Sequence, residues 1–390
     1  MMHRFRYRII FIFVVLTAMG ALIASCAPKP RLAGGEMDTP AHHTSVGMKY
    51  IDQGRYADAQ REFDLALELD RKYSQAHTGA GLAKAYRNDF AAAFESMKKA
   101  DKYAKTPADK EFMKVGFIRL HTMNRAADKK WLDKAEDEFD DIESENPKSA
   151  AAHYFMGAAY KEALDFNKAA PMFARVIELN TGYTEQANDQ WRLIQKIQRA
   201  LPGTLAGKRI ALHDQVSRAD VAALFMEELK IDVVYKKRSV PTFDTGFKDP
   251  VKAKGSGTQI LSAKDIGDHP LKADIEDVLK MQVRGLEVFP DGTFRPDQFI
   301  DRATYAMMIE DILTKITGDN ALATKHIGSP SPFPDLRADQ PYFNAAMVMT
   351  TRGIMEVKNM ATGEFAPLGP VPGADALLVI RKLKDQLKIF

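Results

Sequence analysis

Residues 285–304 read GLEVFPDGTFRPDQFIDRAT, and they decide the fold that the sequence predicts for its C-terminal half. Within this stretch, Asp291-Gly292 is a dipeptide typical of a tight turn, and Pro296 fixes the backbone where the chain leaves that turn. Asp301 stands directly before Arg302 and can cap a helix that begins there. The stretch therefore predicts a turn that leads into a helix.

An amphipathic helix is predicted just upstream, over residues 273–283, so the whole unit spans about residues 270–316. This unit resembles an S-layer homology (SLH) repeat. The family pattern is a helix that ends in a glycine and an apolar residue (here Gly285-Leu286), a DGTF-P turn, and a Thr-Arg-Ala-Glu-like tetrad (here residues 301–304) that opens a second helix. The resemblance implies an all-α fold in which three such repeats form a pseudo-threefold bundle.

Two weaker copies of the pattern flank this one. The downstream copy, 331–388, contains Phe333-Pro334-Asp335 and a helix beginning near Ala374, but Gly373 stands where the tetrad arginine is expected. The upstream copy, 185–230, is degenerate: its tetrad is residues 217–220, in which Arg218 takes the place that Arg302 has in the central copy. We predict that its first helix, 185–201, also caps the preceding domain. Residues 231–261, which include VVY at 233–235, are predicted to form an extended loop or a short pair of strands.

The SLH resemblance also implies a binding site. In that family the tetrad arginine lies in a groove that binds wall-linked, often pyruvylated, polysaccharide or peptidoglycan, and a guanidinium is a rigid fork of donors suited to a carboxylate. Carried over to this sequence, the glycan-binding residues are Arg218, Asp220, Gly285, Asp301 and Arg302. On this interpretation Arg302→Ala abolishes retention on cell wall and leaves folding intact. The alternative is that Arg302 pairs with a nearby acid and caps the bundle.

Residues 41–184 show a second pattern, an internal repeat of paired helices. The step from Gly47 to Gly81 has the same length as the step from Ala135 to Ala169, and apolar residues recur at helical spacing between them. The pattern resembles the tetratricopeptide repeat (TPR), a pair of antiparallel helices. Its copies cover 44–73, 74–106, 108–146 and 147–181; the third is about seven residues too long if Gly116 is its packing glycine, with the extra length near 124–130.

Stacked TPR units form a solenoid, because one repeat cannot bury its apolar face alone. The resemblance implies that the concave surface of this solenoid binds a protein or peptide. Tyr50, Lys84 and Arg87 are the candidate contacts.

The N-terminus has the pattern of a secretory signal, with three arginines before an apolar run at 9–23 that is short for a membrane span. The run ends in LIASC at 22–26, which resembles the lipobox of bacterial lipoproteins. This implies a signal peptide at 1–25 and lipidation of Cys26, the single cysteine of the chain; the alternative is an uncleaved helix with an incidental cysteine. No Asp follows Cys26, which in organisms that use that retention signal implies the outer membrane. Residues 26–40 are predicted to form a flexible tether, with His42 and His43 solvated at its end.

Composition excludes several classes of function. The formal charge of +3 comes from 55 Lys and Arg against 52 Asp and Glu, and without the three leader arginines the balance is 52 to 52. A neutral chain without a cluster of basic residues lacks the positive electrostatic potential that nucleic-acid binding requires. The sequence also has no HExxH, Gly-x-Ser-x-Gly or phosphate-binding loop, so it predicts no catalytic residues, no cofactor and no metal site.

Taken together, the sequence predicts an all-α protein of the cell envelope, lipid-anchored and facing the periplasm. A TPR-like solenoid at 41–184 precedes three SLH repeats at 185–230, 262–317 and 331–388. The predicted function is non-catalytic: binding of a cell-wall glycan by the SLH repeats and of a protein partner by the solenoid. Two alternatives are an assembly factor for a secretion, pilus or outer-membrane complex with a merely structural SLH region, and a carbohydrate-active enzyme with an unrecognised site.

Overall fold

A computed structural model describes residues 31–238 and 263–388 of the chain. Over these residues the fold is helical, with isolated bridges and no sheet, as the sequence predicted. The predicted signal peptide and Cys26 lie outside the described residues. Among the helices that are described, none is both long and apolar enough to cross a bilayer.

Contacts divide the chain into two compact units. The first comprises residues up to 163 together with 179–182, and the second comprises 164–178 and 183 onward. The two helices of the fourth predicted repeat are therefore divided between the units.

The first unit is built from helices in consecutive pairs. They are α1 (Pro40–Asp52), α2 (Tyr56–Leu69), α3 (Ser74–Tyr86), α4 (Phe90–Tyr103), α5 (Pro107–Met123), α6 (Trp131–Glu145) and α7 (Ala150–Glu162). Within each complete pair the two helices pack together, and α1, α3, α5 and α7 also pack on one another in sequence. This arrangement is that of an α-solenoid whose first helices form one continuous layer.

Small residues set the spacing of this layer. Gly47 on α1 and Gly79 on α3 both lie against the ring of Phe63, where an added Cβ would be 2.6 and 2.2 Å from ring carbon Cε1. Gly116 makes the equivalent approach to Met97, at 3.0 Å from its terminal methyl group. Gly116 therefore corresponds to Gly79 and not to the position of Gly47 and Gly81, which was the condition on which the third repeat was about seven residues too long.

The third repeat has its extra length near residues 124–130, where the sequence predicted it. The α5–α6 connection covers residues 124–130, whereas α1–α2 and α3–α4 are joined by 53–55 and 87–89. Helix α5 is also longer than α1 and α3, with 17 residues against 13. The insertion is thus shared between the helix and the turn.

The second unit contains the remaining α-helices of the described residues, together with a π-helical turn (Leu224–Glu228) and a 3-10 helix (Asn320–Thr324). The α-helices are α8 (Phe166–Leu179), α9 (Thr184–Ala200), α10 (Leu205–Ile210), α11 (Arg218–Ala223), α12 (Ile231–Arg238), α13 (Lys272–Lys280), α14 (Arg302–Thr317), α15 (Phe343–Thr351) and α16 (Gly373–Leu387). Helix α9, predicted as the first helix of the degenerate repeat, packs along α16.

A buried ring of backbone contacts joins the three predicted repeats at the start of their tetrads. Ile300 donates its N–H to the carbonyl of Val216 at 3.0 Å, and Val216 donates to the carbonyl of Val371 at 2.9 Å. All three side chains are at most 3% exposed. Each precedes its tetrad directly, so the ring brings the three tetrads around one centre.

The predicted extended insertion is wrong in its first part. Residues 231–238 form helix α12, and residues 239–262 lie outside the described residues. The β-branched run suggested a strand, but Ile231 and Val234 are three residues apart and both at most 3% exposed, so helical spacing buries them on one face.

Candidate functional site

The tetrads begin helices because their polar side chains cap them. Ser217 accepts from the N–H of Asp220, whose carboxylate accepts from the N–H of Ser217, which completes a capping box at α11. Asp301 accepts from the N–H of Thr304 at 2.7 Å and caps α14, as predicted. These caps fix the next residue, an arginine in both tetrads, at the first position of its helix.

Arg218 lies against the turn of the second repeat. Its Nε donates to the carbonyl of Phe294 at 2.7 Å, Nη1 to Gly285 at 2.5 Å and Nη2 to Glu287 at 2.8 Å. The guanidinium also stacks over the rings of Phe289 and Phe294. Arg218 is only 5% exposed, and this burial lowers its pKa.

Arg302 makes the same contact one repeat later. Its Nε donates to the carbonyl of Phe365 at 2.7 Å and its Nη2 to that of Glu356 at 2.6 Å, over the ring of Phe365. It too is 5% exposed with a pKa lowered by burial. Unlike Arg218, its Nη1 meets no hydrogen-bond acceptor within the described parts of the chain.

The other predicted site residues also have partners in the protein. Asp220 is 7% exposed and lies 3.1 Å from Nδ1 of His213; burial raises its pKa, but hydrogen bonds from His213 and Ser217 outweigh that effect and hold it low. Gly285 has a φ of +87°, and a Cβ there would lie 2.9 Å from the side chain of Met308. Both the positive φ of the turn and the packing against α14 therefore require a glycine at this position.

The third tetrad closes the ring without an arginine. The N–H of Gly373 donates to the carbonyl of His213 at 2.9 Å, and a Cβ on Gly373 would be 1.6 Å from the carbonyl oxygen of Ile210. Each tetrad thus contacts the next repeat in cyclic order, and at the arginine position the third does so through its backbone N–H. The space that holds a guanidinium in the first two contacts is filled by α10 in the third.

A pocket of about 200 Å³ opens beside Arg302 in the second unit. Its lining combines apolar side chains with a charged rim: Lys196, Arg302, Ile354, Met355, Glu356, Val357, Lys358, Met360, Val371, Asp375, Leu378, Val379 and Lys382. We call it the Arg302 pocket. The sequence identified Arg302 and none of the others, because they come from α9, from α16 and from residues 352–372, which we call the third-repeat turn.

The rim carries a surplus of positive charge. It has four cationic groups and two carboxylates, and the carboxylates are already paired: Asp375 with Lys196 at 2.6 Å and Glu356 with Lys382 at 2.7 Å. Lys358 has no carboxylate within 4.0 Å among residues 31–238 and 263–388. Lys358 and Nη1 of Arg302 are thus the groups left to meet an anion.

Two aspartates that the sequence analysis did not select hold the turns in place. Asp265 accepts from the N–H groups of Phe294 and Arg295, and Asp335 accepts from those of Phe365 and Ala366, all at 2.7 to 2.9 Å. Asp335 lies in the quoted Phe-Pro-Asp motif, and Asp265 precedes Phe294 by nearly the same interval as Asp335 precedes Phe365. This repeated spacing is the feature of the sequence from which both aspartates could have been identified.

We predict that Asp335→Asn destabilises the protein by about 1–2 kcal/mol, since one carboxylate oxygen that accepts an N–H is replaced by an amide that donates. The same turn presents the carbonyl of Phe365 to Arg302, so the third-repeat turn loosens first. Urea unfolding measures the loss. Asp339→Asn is the control, because Asp339 is exposed and pairs only with the exposed Arg337; equal effects of the two substitutions would contradict the prediction.

The comparison with family models agrees with this geometry. A model described as the S-layer homology domain matches residues 286–306, which include the turn, Asp301 and Arg302. No curated protein matches the chain. The SLH domain is a non-catalytic binding domain that is typical of proteins associated with the cell envelope, and its match lies within the second unit of this chain.

Proposed function

We propose that this chain is a lipid-anchored envelope protein that binds an acidic cell-wall glycan in the Arg302 pocket. Its second unit supplies the wall contact and its solenoid the contact with a protein partner. The anchor is the lipid on Cys26, inserted in the outer membrane with the protein facing the periplasm. Neither activity requires a catalytic group.

The surplus charge of the Arg302 pocket carries the glycan proposal. An N–H of Arg302 and the ammonium of Lys358 can both donate to one carboxylate, such as a pyruvyl ketal or the acid of a muramyl residue. The apolar side chains of the pocket, among them the 79% exposed Met360, suit the C–H faces of a sugar ring. By contrast, Arg218 has all three of its donor nitrogens committed to carbonyls and so offers less to a ligand.

We predict that Lys358→Glu weakens binding to purified cell wall at least tenfold, which corresponds to about 1.4 kcal/mol. The substitution places a carboxylate where the glycan acid binds. Co-sedimentation of the unlipidated protein with wall fragments, at low and high salt, measures the effect, and the loss should shrink as salt screens the charges.

Lys325→Glu is the matched control, since it makes the same charge change at an exposed lysine that does not line the Arg302 pocket. Circular dichroism should show both variants folded, because both side chains are exposed. If the two variants sediment alike, the Arg302 pocket is not the glycan site.

The solenoid supports a second candidate, that of an assembly or scaffold factor. Arg119 on α5 is 7% exposed, stacks over the ring of Phe155 on α7 and donates to the hydroxyl of Tyr86 on α3. In the described ranges no carboxylate lies within 4.0 Å of it, so the layer of first helices holds a buried cation without an ionic partner, which an acidic group that reaches between α3 and α7 would neutralise. A wild-type protein that fails to sediment with wall, yet is crosslinked to an envelope protein, would favour this candidate.

A further inference from the structure

The segment before α1 is bound to the first helix pair, although the sequence predicted a flexible tether over 26–40. The N–H of Arg31 donates to the carbonyl of Glu68 on α2 at 2.8 Å. Its guanidinium donates to both oxygens of Asp38 at 2.7 Å and lies 3.3 Å from the carboxylate of Glu68. Asp38 also accepts from the N–H of Gly34 at 2.6 Å, which closes residues 31–38 into a loop. We call these residues the strap.

His43 on α1 connects the strap to the helices from the other side. Its Nε2 lies 2.9 Å from Asp38 of the strap and its Nδ1 2.7 Å from Glu62 of α2. The ring is 14% exposed, so water competes little for these contacts. A neutral imidazole has one N–H, and only the doubly protonated ring can donate to both carboxylates.

The charged groups around His43 alternate in sign. Each group contacts the next in the following order: Glu68 of α2, Arg31 and Asp38 of the strap, His43 of α1 and Glu62 of α2. The remaining titratable neighbour is His42, whose ring centroid is 5.9 Å away. Removing the proton from His43 leaves Asp38 and Glu62 facing a ring that can satisfy only one of them.

We propose that His43 is a pH-dependent lock, which holds the strap on the first helix pair when it is protonated and releases it when it is neutral. The strap then sets the distance between the solenoid and any membrane anchor. If Cys26 is lipidated, as the proposed function has it, five residue steps separate Cys26 from Arg31, and they span at most about 18 Å. A locked strap holds the first helix pair against the bilayer, and a released strap adds the length of residues 31–38.

The direction of the pH effect follows from the contacts. Burial lowers the pKa of His43, but hydrogen bonds to Glu62 and Asp38 outweigh burial and leave the pKa raised. The lock is therefore complete below the ordinary histidine pKa of about 6.5 and is lost as the pH rises through the higher pKa of the bound state. The pKa of Asp38 is lowered, first by Arg31, so its carboxylate stays ionised across this range.

Amide hydrogen exchange of the unlipidated full-length protein tests the lock. We expect the protection factors of the Arg31 and Gly34 amides, corrected for intrinsic exchange, to fall at least tenfold between pH 6 and pH 8.5. His43→Gln should lower protection at both pH values and abolish its pH dependence, while His42→Gln, one residue away, should behave as wild type. Protection that does not change with pH in the wild type, or that survives in His43→Gln, would overturn the proposal.

A second variant serves as a control for misfolding of α1 in His43→Gln. Arg31→Gln removes the guanidinium contacts with Asp38 and Glu68 and leaves α1 unchanged. It should reduce protection of the Gly34 amide while the amides of α1 and α2 stay protected. Loss of protection in the helices with His43→Gln but not with Arg31→Gln would identify His43 as a structural residue and refute the lock. These measurements involve neither lipid nor wall, so their outcome is independent of the proposed glycan binding.

Discussion

Replacing Arg302 by alanine should unfold the second unit more readily, with a loss of about 3 kcal/mol or more, because it leaves two carbonyls without a donor and opens a cavity over Phe365. Lysine should not rescue the loss, since one ammonium cannot reproduce the fork that reaches both carbonyls. Chemical denaturation should show a lower midpoint with an unchanged slope. Arg337→Ala is the control, because that side chain is 78% exposed and should change stability little.

This result would change how a binding experiment on Arg302 is interpreted. From the sequence we expected that Arg302→Ala would abolish wall retention and leave folding intact. The structure instead makes Arg302 a support of the third-repeat turn, and its partners are backbone carbonyls rather than the acid considered as the alternative. Loss of retention in that variant would therefore not distinguish a missing ligand contact from a collapsed pocket. Lys358→Glu makes that distinction, because Lys358 is exposed and its ammonium pairs with no carboxylate in the part of the chain that the structure describes. An Arg302→Ala variant as stable as Arg337→Ala would refute the structural role.

Local features of the second unit were predictable from the sequence. The turn at Asp291-Gly292, the cap at Asp301 and the helix that follows all depend on residues within a few positions of one another. The tetrads at 217–220 and 301–304 could be matched for the same reason. Helix α9 was also predicted nearly to its ends, because its apolar residues Ile194 and Ile197 recur at helical spacing and are fully buried.

What the sequence missed depends on distant partners. The acceptors of Arg218 lie 67 to 76 residues away, so its type suggested a ligand contact while its position in the bundle gives it a protein contact. The Pro and Gly content of the segment before α1 predicts a flexible tether, yet Arg31 binds the strap to Glu68, and His43 binds it to α1 and α2. A sequence pattern identifies a side chain that can bind an anion. It does not show whether backbone carbonyls of the fold already occupy the donors of that side chain.

At Gly373, packing against the backbone of Ile210 decides the residue type, against the local preference of a helix start. Alanine at the first position of a helix would ordinarily be more favourable than glycine by up to about 1 kcal/mol. Here the added Cβ would lie 1.6 Å from the carbonyl oxygen and 2.6 Å from the carbonyl carbon of Ile210, and both atoms belong to the backbone and cannot rotate away. We therefore expect Gly373→Ala to destabilise the protein by about 3 kcal/mol or more.

Thermal unfolding monitored by circular dichroism measures this effect, with Gly267→Ala as control, because no atom lies within 4 Å of a Cβ placed at Gly267. Gly373→Arg, which restores the tetrad residue expected from the SLH pattern, should destabilise at least as strongly. The missing arginine of the third tetrad is then a requirement of ring closure, since the backbone at the end of α10 lies where a side chain on Gly373 would begin. The N–H of Gly373 still donates to a carbonyl, as the N–H groups of Arg218 and Arg302 do. A Gly373→Arg variant that folds normally and gains wall affinity would show instead that the third contact can open into a groove like the one beside Arg302.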